Sequence, residues 1–366
     1  MHRLKTIICW LAIPFRAEEF IPSAAFKAWA AAVVILAMVL PGCAREQEQA
    51  APVRIPRSLV HIDPTDSTGN DPPRAILVDK RRQRMILYTN DGHWQETARW
   101  PCSTGRNGGP KQAEGDGKTP EGIYFATRNV IQPYIAARYG SRALPLDYPS
   151  WIDRHHRRGG SAIWLHGTDR PLIANNSNGC VVLKNEHIDQ VAQYVELKRT
   201  PIIIVGRLTW WTEQKAQITA RKILSAVEQW QTAMMQGSYI DFSRWYIAES
   251  RPGMRWWQRW CRQRKSRAGI TIQPVSIMRK RSLYRSNDAF VMTFDHLLAA
   301  QSQEVRVGLR KLYLNLDNGR VRIIGDTYQK DRARKKDPLF TAWQELWKRV
   351  DQHHEFATTG KTNSET

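Results

Sequence analysis

Residues 161–184 read SAIWLHGTDRPLIANNSNGCVVLK, and this stretch decides how the chain is read. Residues 162–165 form an apolar strand that delivers His166 and Gly167. The turn Ser177-Asn178-Gly179-Cys180, which sets Cys180 fourteen positions after His166, leads into a second apolar run, residues 181–183. Two strand edges can thus bring an imidazole and a thiol together. The thiolate is the reactive form and needs a base or a cation to exist at neutral pH. Histidine is the side chain best suited to supply it. Gly179, just before the thiol, lets the backbone come close to a substrate and lets N–H groups face a developing oxyanion. Taken alone, a Cys at a strand start is usually a small buried hydrophobe, and a lone His is usually structural. The wider pattern has to decide.

Upstream, residues 115–125 read GDGKTPEGIYF, a Gly-rich turn before an apolar strand. Residues 74–88 hold two β-favouring runs, 75–78 and 85–88, around a basic turn. Strand and turn signals continue to about Val205, where residues 201–205 read as a buried strand, with one short helix near 185–197. The pattern changes at Leu208. Ile218, Ile223, Val227, Trp230 and Met234 mark a helix over 212–236, which Gly237 can stop. Further helices are expected over 242–247 and 256–263, then strands over 270–283, 289–298 and 305–326. Asp317-Asn318-Gly319 is a hairpin signal inside the last run. Helices followed by an antiparallel meander indicate a small α+β domain. After the basic break 331–336, Phe340, Trp343, Leu346, Trp347 and Val350 share one helical stripe, for docking on its own domain or on a partner or membrane, and the final residues read as a disordered tail.

Together GDGKTPEG, then IWLHG, then SNGC with its closing strand resemble the YkuD-like L,D-transpeptidase catalytic domain over residues 73–206. The resemblance implies a mostly-β, sandwich-like fold and a cysteine acyl-transfer enzyme without metal or cofactor. Its substrate would be the peptidoglycan stem peptide, cut between meso-diaminopimelate and the terminal D-alanine. By position, Cys180 matches the nucleophile and His166 the general base. Gly167 matches the residue whose carbonyl orients the imidazole, and Gly179 and Cys180 match the backbone donors of the oxyanion hole. Ser177 matches the Ser/Thr that supports the loop. Asn178 stands where the family often has His, and Val182 where it often has Asn. The spacer between His166 and Ser177 is shorter than in the crosslinking branch, which implies a smaller lid and a weaker grip on a second stem peptide. Amine (transpeptidase) and water (L,D-carboxypeptidase) therefore both stay open as acceptors. Residues 212–330 resemble an NTF2-like domain, and this pairing resembles a branch that includes L,D-carboxypeptidases of cell-shape control. A non-catalytic, peptidoglycan-binding envelope protein is the alternative of another class.

Arg154, Arg157 and Arg158, in the polar stretch DRHHRRGG, are candidates for binding substrate carboxylates, because a guanidinium can grip one bidentately. His155 and His156 read as solvated loop, Tyr124 and Tyr139 as packing residues, and Cys102 and Cys261 as packed thiols.

Composition sets the compartment and the partners. The chain has 366 residues and a net charge of +21, with 42% hydrophobic and 24% charged residues, which excludes a disordered or many-span membrane protein. Residues 28–40, AWAAAVVILAMVL, fit the core of a signal peptide better than a membrane span of about 20 residues. They end in Leu40-Pro41-Gly42-Cys43, so residues 1–43 are expected to be a signal peptide or a lipoprotein signal or anchor, with Cys43 the candidate lipidated residue. Residues 44–72 read as a flexible linker. An exported, periplasmic chain removes nucleic acid as a partner. Between Ser250 and Asn287 lie eleven Lys and Arg and no acid, with Trp256, Trp257 and Trp260 interleaved. That block is expected to meet anionic envelope polymers or a membrane surface. Nothing in the sequence sets the oligomeric state.

Overall fold

Apolar runs that do not alternate predict strands buried on both faces, and here they build the middle layer of the molecule. A computed structural model describes residues 53–62, 72–264, 275–286, 289–300 and 304–330. The apolar segment 28–40, Cys43, the 331–336 break and the 340–350 stripe lie outside them.

In chain order the first strands are β1 (Arg54–Pro56), β2 (Leu59–Ile62), β3 (Arg74–Asp79), β4 (Arg84–Asn90) and β5 (Trp94–Pro101). Next come β6 (Gly122–Phe125), β7 (Val130–Ile131), β8 (Arg142–Pro145), helix α1 (Trp151–His155), β9 (Trp164–His166) and β10 (Val181–Val182). Helix α2 (Asn185–Gln193), β11 (Pro201–Val205) and β12 (Trp210–Thr212) lead to helices α3 (Glu213–Gln236), α4 (Tyr239–Ser243) and α5 (Met254–Arg264). A meander of β13 (Val275–Arg285), β14 (Phe290–Ala300), β15 (Glu304–Asp317) and β16 (Arg320–Lys330) follows. The expected boundary of α4 shifts because Ser238 and Asp241 form a reciprocal capping box that starts the helix earlier. The Asn318-Gly319 turn has positive φ at both residues, as a tight hairpin requires.

A central sheet runs β5-β4-β3-β11-β6, with β11 parallel to β3 and antiparallel to β6. Ile202 and Ile204 on one face pack with Ile76, Val78, Leu144, Leu165 and Val181, under the second sheet β10-β9-β8-β7. Ile203 and Val205 on the other face join Leu77, Ile86 and Phe125 in one core with Tyr284, Val291, Tyr313 and Ile324 of the C-terminal sheet. That C-terminal sheet runs β16-β15-β14-β13-β2, and its far face carries Met292, Phe294, Leu312 and Leu314 against Ile223, Val227 and Trp230 of α3. Layers therefore follow as sheet, sheet, sheet, helices.

Two findings correct the expected boundaries. The 44–72 span is not all linker: β1 pairs with β12, and β2 pairs with β13 at the edge of the C-terminal sheet. Ile55, Leu59 and Val60 are buried there, which an isolated tether could not achieve. The C-terminal part is thus discontinuous in sequence, with the catalytic segment set between its second strand and β12. Second, the DRHHRRGG stretch is not only loop. Ser150 caps α1 and forms a capping box with Asp153, so the helix starts at Trp151.

Polar pairs cross the junction between the central and C-terminal sheets. Arg199 meets Asp295 at 2.6 Å, and Lys311 meets Asp147 at 3.3 Å while lying 3.3 Å over the Phe125 ring. Trp151 of α1 stacks on Tyr313 of β15 and covers Gly325 so closely that any side chain there would collide with the indole.

Candidate active site

Strand parity places the two reactive groups. β9 and β10 pair in parallel, with Val181 opposite Leu165 and Val182 opposite His166. Leu165, Val181 and Leu183 are fully buried in the core beneath. Successive side chains alternate across a sheet, so Trp164, His166, Cys180 and Val182 share the opposite face. Cys180 and His166 are diagonal neighbours there: one strand spacing of about 4.8 Å sideways and two residues of about 3.3 Å along.

The imidazole is locked. His166 Nδ1–H donates to the Gly167 carbonyl at 2.8 Å, which leaves Nε2 as the lone-pair nitrogen. Gly167 is required: a Cβ there, or on Gly140 across from it, would collide with the Asn185 side-chain oxygen. That oxygen accepts the Ser141 N–H at 3.0 Å, so Asn185 at the start of α2 holds the turn that aims the Gly167 carbonyl. Tyr139 sets its ring edge-on to His166 at 5.1 Å and leans on Trp164 at 4.6 Å. Tyr139 is indeed a packing residue, and what it packs is the His166 ring.

The nucleophile turn is held as tightly. Gly179 has φ +130°, a region that L side chains rarely adopt, and a Cβ would lie 2.9 Å from the Lys118 carbonyl. The GDGKTPEG turn is thus the seat of the SNGC turn. Ser177 Oγ accepts the Gly179 N–H at 3.1 Å and donates to the Cys180 carbonyl at 2.6 Å. The Gly179 N–H is therefore engaged, while the Cys180 N–H has no such partner among the described residues. Ser177 is also fixed by its own N–H to the Thr104 carbonyl at 3.0 Å, and Val182 exchanges two 2.8 Å bonds with Ser103.

The charge state at rest follows from burial. His166 is 8% exposed, and burial pulls its pKa below the ordinary value against the opposing Gly167 carbonyl. Burial pushes the Cys180 thiol up, while the Trp164 N–H and the Lys111 charge pull it back. Cys180 Sγ–H points to the Ala162 carbonyl at 3.5 Å. The directions of both shifts favour a thiol beside a neutral imidazole at rest, and a neutral Nε2 is able to take a thiol proton.

With this geometry in place, residues 73–204 match the sequence model of the YkuD family, described as an L,D-transpeptidase catalytic domain. Residues 73–204 are a YkuD domain. YafK of Escherichia coli K12, named as an L,D-transpeptidase, is 34% identical over 125 residues, which are 34% of this chain and 47% of YafK. The chain thus spans about half the length of that relative. Two solved structures share the fold beyond the YkuD domain. Bd1075 of Bdellovibrio bacteriovorus covers 77% of this chain and all of its own, with TM-score 0.63 and 24% identity. The helical cell shape determining protein Pgp2 of Campylobacter jejuni covers 74% of this chain and 94% of its own, with TM-score 0.57 and 19% identity.

Within the YkuD domain the other expected residues are scattered. Asn178 is exposed at the tip of the nucleophile turn. Arg154 donates to the Pro149 carbonyl on α1, the helix that docks on the C-terminal sheet. Arg158 meets the buried Asp153 at 3.6 Å, and Arg157 is exposed with φ +55°. Cys102 is buried, its thiol pushed up to about 12 by desolvation, and Cys261 packs beside the Trp-rich core. Among the described residues Cys102, Cys180 and Cys261 form no disulfide. Among the described residues no group of three His, Cys, Asp or Glu converges as a metal site. Sequence reasoning missed Lys111, Gly140 and Asn185. The signals were present as GPK just ahead of the GDG turn and Asn just after the closing strand, but their roles depend on contacts across the fold.

Proposed function

We propose that this chain is a cysteine acyl-transfer enzyme of the cell envelope, cutting the meso-diaminopimelate–D-alanine bond of peptidoglycan stem peptides. The carrying observation is the His166 tautomer, fixed by Gly167 with Nε2 free, on the same sheet face as Cys180. Nε2 takes the Sγ proton as sulfur attacks the carbonyl carbon. The Cys180 N–H meets the resulting oxyanion, and one such donor is worth on the order of 10²–10³ in rate. The C–N bond then breaks, the imidazolium proton goes to the departing D-alanine nitrogen, and a thioester remains on Cys180. A second acceptor gives its proton to Nε2 and attacks the thioester; the C–S bond breaks and the sulfur is reprotonated.

Water is the acceptor favoured here. Residues 169–176, which stand where a lid would close, are almost entirely exposed, and little else there could grip a second stem peptide. The likeness in fold to a helical cell shape determining protein supports a role in cell shape, with either acceptor. The helix-backed C-terminal sheet, with a cavity of about 580 Å³ lined by Trp151, Trp256, Trp260 and Arg310, supports the NTF2-like reading. The exposed Arg255, Trp256 and Arg259 of α5 support contact with anionic envelope polymers or a membrane surface. A periplasmic location with Cys43 as a lipid anchor completes the proposal.

The test is incubation of purified protein with tetrapeptide muropeptides and separation of products by mass. Tripeptide plus free D-alanine is the expected result. Crosslinked dimers would make the acceptor an amine, and the absence of both products from folded protein would sink the enzyme reading.

A further inference from the structure

Beside the nucleophile lies a buried charge that the chemistry above does not use. Lys111 is 3% exposed, and its Nζ donates to the Ala113 carbonyl at 2.8 Å and to Asp116 Oδ1 at 2.7 Å. Burying an ammonium is costly unless it is paired, so the pair demands a reason. Asp116 is saturated: its two oxygens also take the N–H groups of Lys118, Gln112 and Ala113. Burial alone would push this carboxyl up, yet the hydrogen bonds from Lys111 and the three backbone N–H groups win and hold it well below the usual range.

Two physical links join this pair to Cys180. The first is the Lys118 carbonyl, which lies against Gly179 on a loop that Asp116 folds. The second is the backbone before β9. Gly159 N–H donates to the Gln112 carbonyl at 2.8 Å, and the Lys111 side chain fills the space a Cβ on Gly160 would need, with Cε 2.9 Å away. Ala162, two residues on, supplies the carbonyl that receives the Cys180 thiol. The cation therefore lies beneath the segment facing the sulfur, and its charge acts to lower the thiol pKa. The carboxylate is turned to the loop backbone instead.

We propose that Lys111 is a positioning residue for the reaction, a buried cation that favours the Cys180 thiolate as it forms while its partner Asp116 folds the loop that seats Gly179. This rests on Cys180 being the nucleophile, and it deepens that reading.

The experiment is iodoacetamide alkylation of Cys180 in the full chain, from pH 6 to 11, followed by mass spectrometry of the Cys180 peptide. Lys111→Met is expected to move the alkylation midpoint up and to slow the reaction at pH 8 by about 3–10-fold. Lys111→Arg should stay within about 2-fold of the unchanged chain, because charge is retained. Asp116→Asn is expected to move the midpoint down, since it removes the counter-charge and keeps the cation. A purely structural pair would move Lys111→Met and Asp116→Asn in the same direction, and that result, or no shift in either, overturns the proposal. If Lys111→Met fails to fold by circular dichroism, the direction of the Asp116→Asn shift decides. Alkylation needs no peptidoglycan, so an inactive muropeptide assay with the expected shifts would overturn the substrate and leave this inference standing. A Cys180 inert at every pH would overturn the nucleophile instead.

Discussion

The central sheet has two faces, and they serve different ends. On one, Ile202 and Ile204 pack beneath β9 and β10 and fix the strand parity that sets His166 beside Cys180. On the other, Ile203 and Val205 pack against Tyr284, Val291 and Tyr313 of the C-terminal sheet. The first face is closed locally, within the YkuD domain. The second is closed largely by strands that begin only at Val275, far beyond β11, together with Ile55 of β1, Leu59 of β2 and Ile152 of α1. The difference teaches that the C-terminal part is not an appendage on a finished enzyme. It supplies half the cover of the sheet on which the site rests.

The sharpest way to break this comparison is truncation. Residues 73–206 alone would expose Leu77, Phe125 and Ile203, an apolar sheet face of the kind monomeric proteins rarely leave open. The fragment is expected to aggregate on size-exclusion chromatography, and a soluble, folded fragment would show the faces to be independent. In the intact chain, Ile203→Asp places an unpaired charge in that shared core and should cost about 3–5 kcal/mol in urea unfolding.

On the site face the largest effect belongs to Cys180→Ala. D-alanine release should fall by on the order of 10³-fold or more with the unfolding midpoint unchanged. Gly179→Ala should cost roughly 10²-fold in kcat, because a Cβ meets the Lys118 carbonyl and displaces the turn by a fraction of an ångström to which attack geometry is sensitive. A smaller effect is the pH profile of kcat/KM. His166 must be neutral to accept the proton, and burial lowers its pKa, so the acid limb should fall below the ordinary imidazole value of 6.5. An acid limb above 6.5 would mean that the base is paired with an anion. Arg157→Ala is expected to change kcat/KM least, within about 2-fold, since that side chain is exposed, and a tenfold rise in KM would restore it as a carboxylate contact.

Much of the site was legible before the fold. His166, Gly167, Ser177, Gly179 and Cys180 lie in short local turns whose geometry depends on neighbouring residues, and local pattern is what sequence records directly. The continuous runs 75–78, 85–88 and 201–205 likewise announced strands buried on both sides. What covered the second side was not legible, because it is set by pairing between distant segments. The same applies to β1 and β2, whose alternation is too short and too close to Pro, Gln and Asp to stand apart from a tether. Asn185 and Gly140 meet only because α2 and the turn before β8 fold onto the same carbonyl.

The sequence by itself therefore determined the chemistry: a thiol, an imidazole and the glycines that let backbone approach them, in an order that strand alternation can bring to one face. Only the tertiary structure decided their state. Burial favours the neutral form of each group, the Ser177 hydroxyl engages the Gly179 N–H, and the charge of Lys111, paired with Asp116, acts on the thiol through space. The physical reason is that desolvation and through-space charge depend on everything within several ångströms of an atom, whatever its distance along the chain.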